Sequence, residues 1–407
     1  MEYIMRLSNT ALNIEYSLVQ AFFWMGFCIS FSFAAFYLQS RGYSNSELGL
    51  VLSLGNVGGL VVSPVLASVI DRSKKSALFV SLWSIIALQY LLLIVQLLLP
   101  GKGPLISLTY CLYLSSTIVM NPLETQLAFI MSSWGGEVSY SSARGIGSLA
   151  YALSSMFIGS LVAVRSAAVL PSAALVFLTA QTCVLIYIRF QYSRCAPEAE
   201  SSFAGPDGGT HESRSLRQFF LTNKRFCLML LGLALMFFAH NLVTGFMINI
   251  VRNLGGDSSD MGRVNGVMAM MEIPVMLLYG RLTMRVKCSS TIRFAAVMFV
   301  FRALSIALAP NLPCLYAAQI FQAASFAIIT PAMVQYVTVV IRPEDFAKGQ
   351  SLSYGMTTLG SIFSGLFGGI MYDHLSVTAT MLIGTAVCAV GATLCAGATE
   401  NTGEKPC

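Results

Sequence analysis

The stretch Gly42-Tyr-Ser-Asn-Ser-Glu47-Leu-Gly49 is echoed 213 residues later by Gly255-Gly-Asp-Ser-Ser-Asp260-Met-Gly262. The same register continues downstream with three more aligned pairs, Ala67 with Gly280, Arg72 with Arg285 and Lys74 with Lys287. Ser44 and Glu47 have the spacing of a capping box, which predicts that a helix begins here. Because one offset aligns both ends of the segment, we interpret the two halves of the chain as copies of one helical unit.

The composition is that of an integral membrane protein. Hydrophobic residues make up 56% of the 407 residues and charged residues only 10%, against roughly 45–50% and about 25% in soluble domains. Windows of about 20 residues predict twelve membrane-spanning helices. These spans lie near residues 16–38, 46–70, 76–99, 104–132, 138–164, 167–189, 222–250, 260–283, 289–309, 312–340, 347–371 and 375–397. The long apolar runs do not fit a membrane β-barrel, whose strands are short and alternate in polarity.

A polar segment separates six spans from six. Residues 190–221 are rich in Ser, Gly and charge, which predicts a flexible cytoplasmic linker between a bundle at 1–189 and a bundle at 222–407. With both termini in the cytoplasm, the outer loops hold few of the 24 Lys and Arg residues, namely Arg41, Lys102, Arg165, Arg252 and Arg263. This asymmetry favours that orientation. It also accounts for the net charge of +6 without a nucleic-acid partner.

Four charged residues lie deep inside apolar spans: Glu124, Arg144, Glu272 and Arg302. Charge at membrane depth costs ~3 kcal/mol or more per residue, so it indicates pairing, a wet cavity or a substrate site. Glu272 and Arg302 lie near the midplane on adjacent antiparallel spans, where either an ion pair locks the helices or both face a cavity. Glu124 and Arg144 can pair, although Arg144 can instead extend to the inner surface.

The sequence favours transport over catalysis. No enzyme motif is recognised, and His240 is the one His that lies in a span. Together with cysteines that lack paired spacing, this predicts neither a metal site nor a cofactor. We interpret His240 as a hydrogen-bonded packing residue rather than a proton relay. A receptor or scaffold is the alternative from another functional class, and solute uptake into proteoliposomes distinguishes the two.

Several motifs resemble those of a known family. Ala67-Ser-Val-Ile-Asp71-Arg72-Ser-Lys74-Lys75 resembles the Gly-x-x-x-Asp-Arg/Lys-x-Gly-Arg-Lys/Arg signature of the major facilitator superfamily, with Asp71, Arg72 and Lys74 at signature positions. Four other segments are similar to helices of the oligosaccharide:proton symporters, namely 141–151, 266–272, 301–302 and 365–372. The resemblance implies an all-α membrane protein of twelve transmembrane helices, arranged as two six-helix bundles around a central cavity.

The same resemblance implies a substrate site. Arg144 corresponds to an Arg that binds sugar hydroxyls, and Tyr151 to an aromatic residue that stacks on the sugar ring. Glu272 corresponds to a ligand that also takes part in coupling, and Arg302 to an Arg that assists the proton site. Glu124 joins the substrate-binding set only if the alignment contains a small gap.

Two departures from that family affect these expectations. The acidic ligand of the fourth span falls at Gln126 by ungapped count, about 200° around the helix from Glu124. On the tenth span, Gln322 and Ser325 occupy the positions of a His and a Glu, so the usual proton-carrying carboxylate is missing. Either Glu272 or Glu124 then carries the proton, or the protein is coupled differently or not at all.

The expected function is secondary active transport, as proton-coupled uptake by alternating access. The expected partners are a small polar or anionic solute, protons or another coupling ion, and the lipid bilayer. A sugar, a nucleoside or an aromatic acid fits the solute equally well. We expect a monomer in a bacterial inner membrane. The alternative within this fold is an exporter of drugs or metabolites, because the Met-rich stretch 261–276 suits a promiscuous surface.

Overall fold

The architecture is that of a computed structural model, which describes residues 9–71, 76–99, 101–132, 138–195, 216–283 and 286–400. Helices account for nearly all of these residues, and the described ranges contain no strand. Asp71 is the last residue of a helix, whereas Arg72 and Lys74 of the signature loop lie outside the described residues. Residues 196–215 of the expected linker also lie outside them.

Seven helices precede the expected linker. They are α1 (Asn9–Phe27), α2 (Ala34–Ser40), α3 (Asn45–Asp71), α4 (Ser76–Leu98), α5 (Pro104–Ser132), α6 (Tyr140–Arg165) and α7 (Val169–Cys195). Two of them extend past the predicted spans. The first helix begins at Asn9 rather than at residue 16, and α7 ends at Cys195 rather than at residue 189. These extensions pack on each other, since Gln191 donates a hydrogen bond to Glu15 at 3.0 Å.

Eleven helices follow. They are α8 (Leu216–Thr222), α9 (Lys224–Gly245), α10 (Met247–Asn253), α11 (Ser258–Thr283), α12 (Cys288–Ala307), α13 (Leu312–Ala318), α14 (Ile320–Ala324), α15 (Phe326–Val340), α16 (Phe346–Phe363), α17 (Gly369–His374) and α18 (Val377–Ala398). Helix α8 lies where the sequence predicted flexible linker. It is ordered because Phe219 is buried and packs edge-on against Phe226, at 6.3 Å between ring centroids.

All twelve predicted spans are helical. Ten described helical stretches are long and apolar enough to cross a membrane, and each matches one predicted span. The other two are the fourth and the eleventh. The fourth is α5, and the eleventh runs from α16 through a π-helix at Ser364–Gly368 into α17. The prediction of an all-α protein with twelve spans is therefore confirmed.

Helix contacts divide the chain into two compact units. The first contains residues 1–42 and 54–208, and the second contains residues 43–53 and 209–407. The change at residue 208 falls inside the expected linker. The expected bundles at 1–189 and 222–407 stay a prediction. They differ from the two compact units at residues 43–53, which include the start of α3 and belong to the second unit.

The N-terminal part of α3 belongs to the second unit through contacts with α17 and the π-helix before it. The Asp373 carboxylate accepts hydrogen bonds from the backbone N–H groups of Asn45 and Ser46, at 2.9 and 2.8 Å. A Cβ on Gly49 would lie 2.1 Å from the carbonyl oxygen of Gly365. Only glycine permits backbones to approach this closely.

The sequence echo recurs in the structure. Ser44 and Glu47 form the predicted reciprocal capping box, with the Ser44 N–H donating to the carboxylate at 2.9 Å and the Glu47 N–H donating to the hydroxyl at 3.2 Å. The aligned residues Asp257 and Asp260 make the same exchange, at 3.2 and 3.1 Å. Gly42 and Gly255 precede the two caps with φ of 87° and 80°. The two helix starts thus share their backbone geometry as well as their sequence.

Candidate functional site

Glu124 is the most deeply buried charged group of the first unit, with 0% of its surface exposed. Helices α1 and α7 provide its partners. The Gln20 amide donates to Oε2 at 3.1 Å, and the Gln181 amide donates to Oε1. The Tyr16 hydroxyl donates to the Glu124 carbonyl oxygen at 3.1 Å. Within the described part of the chain Glu124 forms no ion pair, so neutral groups alone satisfy this carboxyl group.

Arg144 lies on α6 and is half-buried. Its Cζ is 3.7 Å from the centroid of the Trp24 ring, a cation–π contact, and its Nη1 donates to Ser148 Oγ at 2.6 Å. The direct pairing with Glu124 that the sequence allowed is not formed. A chain of contacts takes its place, in which the Trp24 indole N–H donates to Gln20 at 3.1 Å and Gln20 donates to Glu124.

Tyr151 is half-buried on α6, seven residues after Arg144 and therefore on the same face. Its hydroxyl is hydrogen-bonded to Ser32 Oγ. Ser32 ends a π-helix, Cys28–Ser32, that interrupts the predicted first span. A π segment rotates the residues that follow it, and such segments occur frequently at functional sites. The irregularity of the first span thus brings Ser32 to Tyr151.

The second unit buries an arginine. Arg302 on α12 is 2% exposed. Its Nη1 lies 2.7 Å from His240 Nδ1 on α9, and its Nη2 donates to the Met268 sulfur at 3.4 Å. A guanidinium has only donors, so Nδ1 accepts and His240 is neutral, with its proton on Nε2. The His240 ring stacks on Phe326 at 4.7 Å between centroids, with an interplanar angle of 8°.

Glu272 on α11 is 7% exposed and accepts a hydrogen bond from the Gln322 amide at 2.6 Å. The direct Glu272–Arg302 ion pair weighed from the sequence is therefore not the contact observed. The Arg302 guanidinium donates to His240 and Met268, and the Glu272 carboxylate accepts from Gln322. Arg302 nevertheless reaches α11 at Met268, one helical turn before Glu272. Each of the two charged groups thus keeps a hydrogen-bond partner of its own.

Unsatisfied polar atoms surround this pair. Among the described residues, Arg302 Nε, Gln322 Oε1, Gln319 Oε1 and both amide atoms of Asn265 are buried without a hydrogen-bond partner. Such groups are rare in folded proteins. The predicted tenth span is interrupted beside them, at Gln319 and Ser325. Interrupted helices line the binding sites of many transporters.

The sequence pointed to the charged residues but not to their partners. Gln20, Gln181 and Trp24 complete the surroundings of Glu124 and Arg144, and His240 that of Arg302. The sequence does contain a signal for Gln20 and Gln181, because a polar amide within an apolar span costs free energy to bury unless it is hydrogen-bonded, as a charge does to a greater extent. His240 was correctly interpreted as hydrogen-bonded, although its partner was not foreseen.

The model of the MFS_1-like family matches residues 13–383. Two crystal structures of the nucleoside transporter NupG have TM-scores of 0.78 and 0.73 at 14% and 13% identity, and cover 96% and 97% of this chain and 100% and 99% of their own. An inward-facing, unoccupied bacterial homologue of the human lysosomal transporter Spinster has a TM-score of 0.62 at 12% identity, over 96% of this chain and 95% of its own.

A curated relative shares a shorter region. A protein of Deinococcus radiodurans named as a sugar efflux transporter is 29% identical over 124 residues, which cover 30% of this chain and 32% of that protein. The match thus spans about a third of the relative's length.

The family match covers most of the chain, and the solved structures share its fold over nearly their whole length. The protein is therefore a multi-pass membrane transporter rather than an enzyme. The chain belongs to the MFS_1-like family of major facilitator transporters.

Proposed function

We propose that the protein takes up a small polar or anionic solute by alternating access, driven by protons or another coupling ion. The observation that supports coupling is the buried pair in the second unit. Arg302 contacts α11 one turn from Glu272, yet each of the two charged groups is bonded to a neutral partner. Both can exchange partners without moving a charge into lipid, which would be far more costly. Such an exchange can link ion binding to a change of conformation.

Substrate binding is assigned to Arg144, Tyr151 and Glu272, with Glu124 in support. Arg144 and Tyr151 share one face of α6 and are half-buried, so a solute can reach both. A guanidinium offers several donors to hydroxyl or carboxylate oxygens. An aromatic ring offers a face to a sugar or a base. Proton coupling is assigned to Glu272 with Arg302.

The relatives suggest which solutes to test first. Nucleosides follow from the structural match to NupG, and sugars follow from the Deinococcus relative. Aromatic acids remain the third class, because Arg144 suits a carboxylate. We further propose that the chain is a monomer of the bacterial inner membrane with both termini in the cytoplasm, as the Lys and Arg distribution favours.

Export is the second candidate, since the relative's name concerns sugar efflux. Direction is set by the gradient as well as by the protein. Uptake into right-side-out and inverted vesicles, each with an imposed proton gradient of either sign, distinguishes the two. Accumulation in inverted vesicles alone, under a gradient acidic inside, supports export.

The central experiment measures transport by purified protein in liposomes. Radiolabelled uridine and glucose are supplied with and without an inward proton gradient. Glu272→Gln should abolish accumulation against a gradient but keep exchange of solute, because the amide still accepts from Gln322 yet cannot exchange a proton. Glu344→Gln removes a carboxylate from an exposed position and should transport normally. Transport that ignores pH and membrane potential in the unmodified protein contradicts proton coupling, and the protein is then a facilitator or uses another ion.

A further inference from the structure

Trp24 contacts Arg144 directly and is linked to Glu124 through Gln20. On its ring face, the Arg144 guanidinium carbon lies 3.7 Å from the centroid. At its edge, the indole N–H donates to the Gln20 oxygen at 3.1 Å, and the Gln20 nitrogen donates to Glu124 at 3.1 Å. Two side chains of α1, Trp24 and Gln20, therefore connect the cation of α6 with the carboxyl group of α5.

The indole N–H holds the oxygen end of the Gln20 amide. The two ends of an amide have nearly the same shape but opposite hydrogen-bonding character. Trp24 donates to the oxygen, and the nitrogen donates to the Glu124 carboxylate and to the Tyr16 hydroxyl at 3.2 Å. Without the indole donor, Glu124 and Tyr16 alone orient the amide, so its position against the carboxylate is less firmly fixed.

Helix α6 is shaped to hold the indole. A Cβ on Gly147 would lie 2.5 Å from Trp24 Cδ1, so the ring rests directly on the helix backbone. Arg144 comes three residues earlier on the same helix and covers the ring face. A movement of the Arg144 side chain therefore alters the surroundings of the indole directly, since the two groups are in contact.

We propose that Trp24 is a positioning residue that transmits the state of Arg144 to Glu124. When a solute draws the Arg144 guanidinium away, the indole loses its cation–π contact. The indole can then shift, which changes its hydrogen bond to the Gln20 oxygen. The hydrogen bond from Gln20 to Glu124 changes as a result. This inference rests on the proposed function, in which Arg144 binds the solute. It gives the first helix a part in connecting solute binding to a buried carboxyl group.

A double-mutant cycle tests the link without any solute. Arg144→Ala and Glu124→Gln are made singly and together, and the apparent melting temperature is measured in detergent. Because Trp24 and Gln20 connect these two side chains, the link predicts a departure from additivity of about 2–4 °C. Trp24→Phe keeps a ring for Arg144 but lacks the N–H, so additivity should return in that background.

The control variant is Arg165→Ala, at the exposed end of the same helix. It should combine additively with Glu124→Gln in both backgrounds. Additive shifts for Arg144→Ala and Glu124→Gln with Trp24 in place overturn the proposal.

Trp24 fluorescence provides a second measurement, which requires only single substitutions at the site and no thermal unfolding. Replacing Trp83 and Trp134 by Phe leaves Trp24 as the single tryptophan. Glu124→Gln should then alter Trp24 emission through Gln20, whereas Glu344→Gln should leave it unchanged. Unaltered emission in Glu124→Gln contradicts the link.

Titration with solutes tests this inference separately from the proposed function on which it rests. Uridine and glucose are titrated while melting temperature and Trp24 emission are recorded together. A solute that raises the melting temperature should also change the emission, and a rise without that change contradicts the Trp24 link. If neither solute raises the melting temperature, the choice of solutes in the proposed function is wrong, and the double-mutant cycle decides on Trp24.

Discussion

Arg302 shows how a single charge is kept inside the second unit. Its guanidinium is buried and relies on His240 Nδ1 at 2.7 Å as its nearest acceptor. His240→Phe removes that acceptor and leaves a buried cation short of a partner, which should cost about 2–3 kcal/mol of stability. His240→Asn should recover most of the loss, because its amide oxygen can occupy nearly the position of Nδ1. Thermal unfolding in detergent measures both variants.

The matched control is His374→Phe, which makes the same substitution at an exposed position. It should leave the unfolding midpoint nearly unchanged. A larger loss in His240→Asn than in His240→Phe would show that ring packing on Phe326, rather than the hydrogen bond to Arg302, is what His240 supplies.

At the scale of the elements, α9 and α18 meet backbone to backbone. A Cβ on Gly391 would lie 2.7 Å from the Gly232 carbonyl oxygen and 3.0 Å from the Met236 nitrogen. Gly391→Ala should force the helices apart and destabilise the protein by about 1–3 kcal/mol. Gly397→Ala on the same helix has open space around the new methyl group and should be neutral or slightly stabilising. Loss of folded protein on size-exclusion chromatography, or a lowered melting temperature, reports the difference.

The start of α3 carries a pH-dependent contact. Partial burial raises the pKa of the Asp373 carboxyl, but hydrogen bonds from Ser46 and Asn45 outweigh it and hold the pKa below its ordinary value of 3.8. A lowered pKa in the folded state means that the contact contributes fully above the ordinary Asp pKa. The contribution is lost as the pH falls through the lowered pKa of the folded protein.

Asp373→Asn therefore tests the contact through its pH profile. The variant should melt below the unmodified protein near neutral pH, by the roughly 1 kcal/mol typical of a helix cap. The gap should close as the pH falls through the lowered pKa of the folded protein, where the native carboxyl is also protonated. A gap that persists at a pH low enough to protonate the native carboxyl would assign the difference to packing rather than to charge.

Local rules predicted helix starts well and helix interiors poorly. The capping box at Ser44 depends on residues three apart in the chain, so the sequence contains all of it. The π-helix at Cys28–Ser32 and the break at Ser325 depend on what lies across the bundle, and no periodicity in the apolar runs reveals them. Depth likewise placed Glu272 and Arg302 near each other, but the choice of Gln322 and His240 as partners depends on neighbouring helices.

For the whole molecule, topology is the property that the charge distribution predicts most directly. Six spans before the expected linker and six after it place that linker on the same side as both termini. Few Lys and Arg lie in the loops assigned to the opposite side, among them Lys102 and Arg263. Positive charge resists translocation, so a protein with this distribution should insert in one orientation.

Reporter fusions test that orientation and the span count together. A fluorescent protein fused after Gly208, a position outside the described residues, should fluoresce because it folds in the cytoplasm. Alkaline phosphatase fused at the same position should be inactive. At Lys102 the two reporters should give the reverse result, because three spans precede that loop and carry it across the membrane. Phosphatase activity at both Gly208 and Lys102 would show that an odd number of spans precedes the linker, and the division into six and six would then be wrong. Reversed results at both positions would show instead that the orientation is wrong.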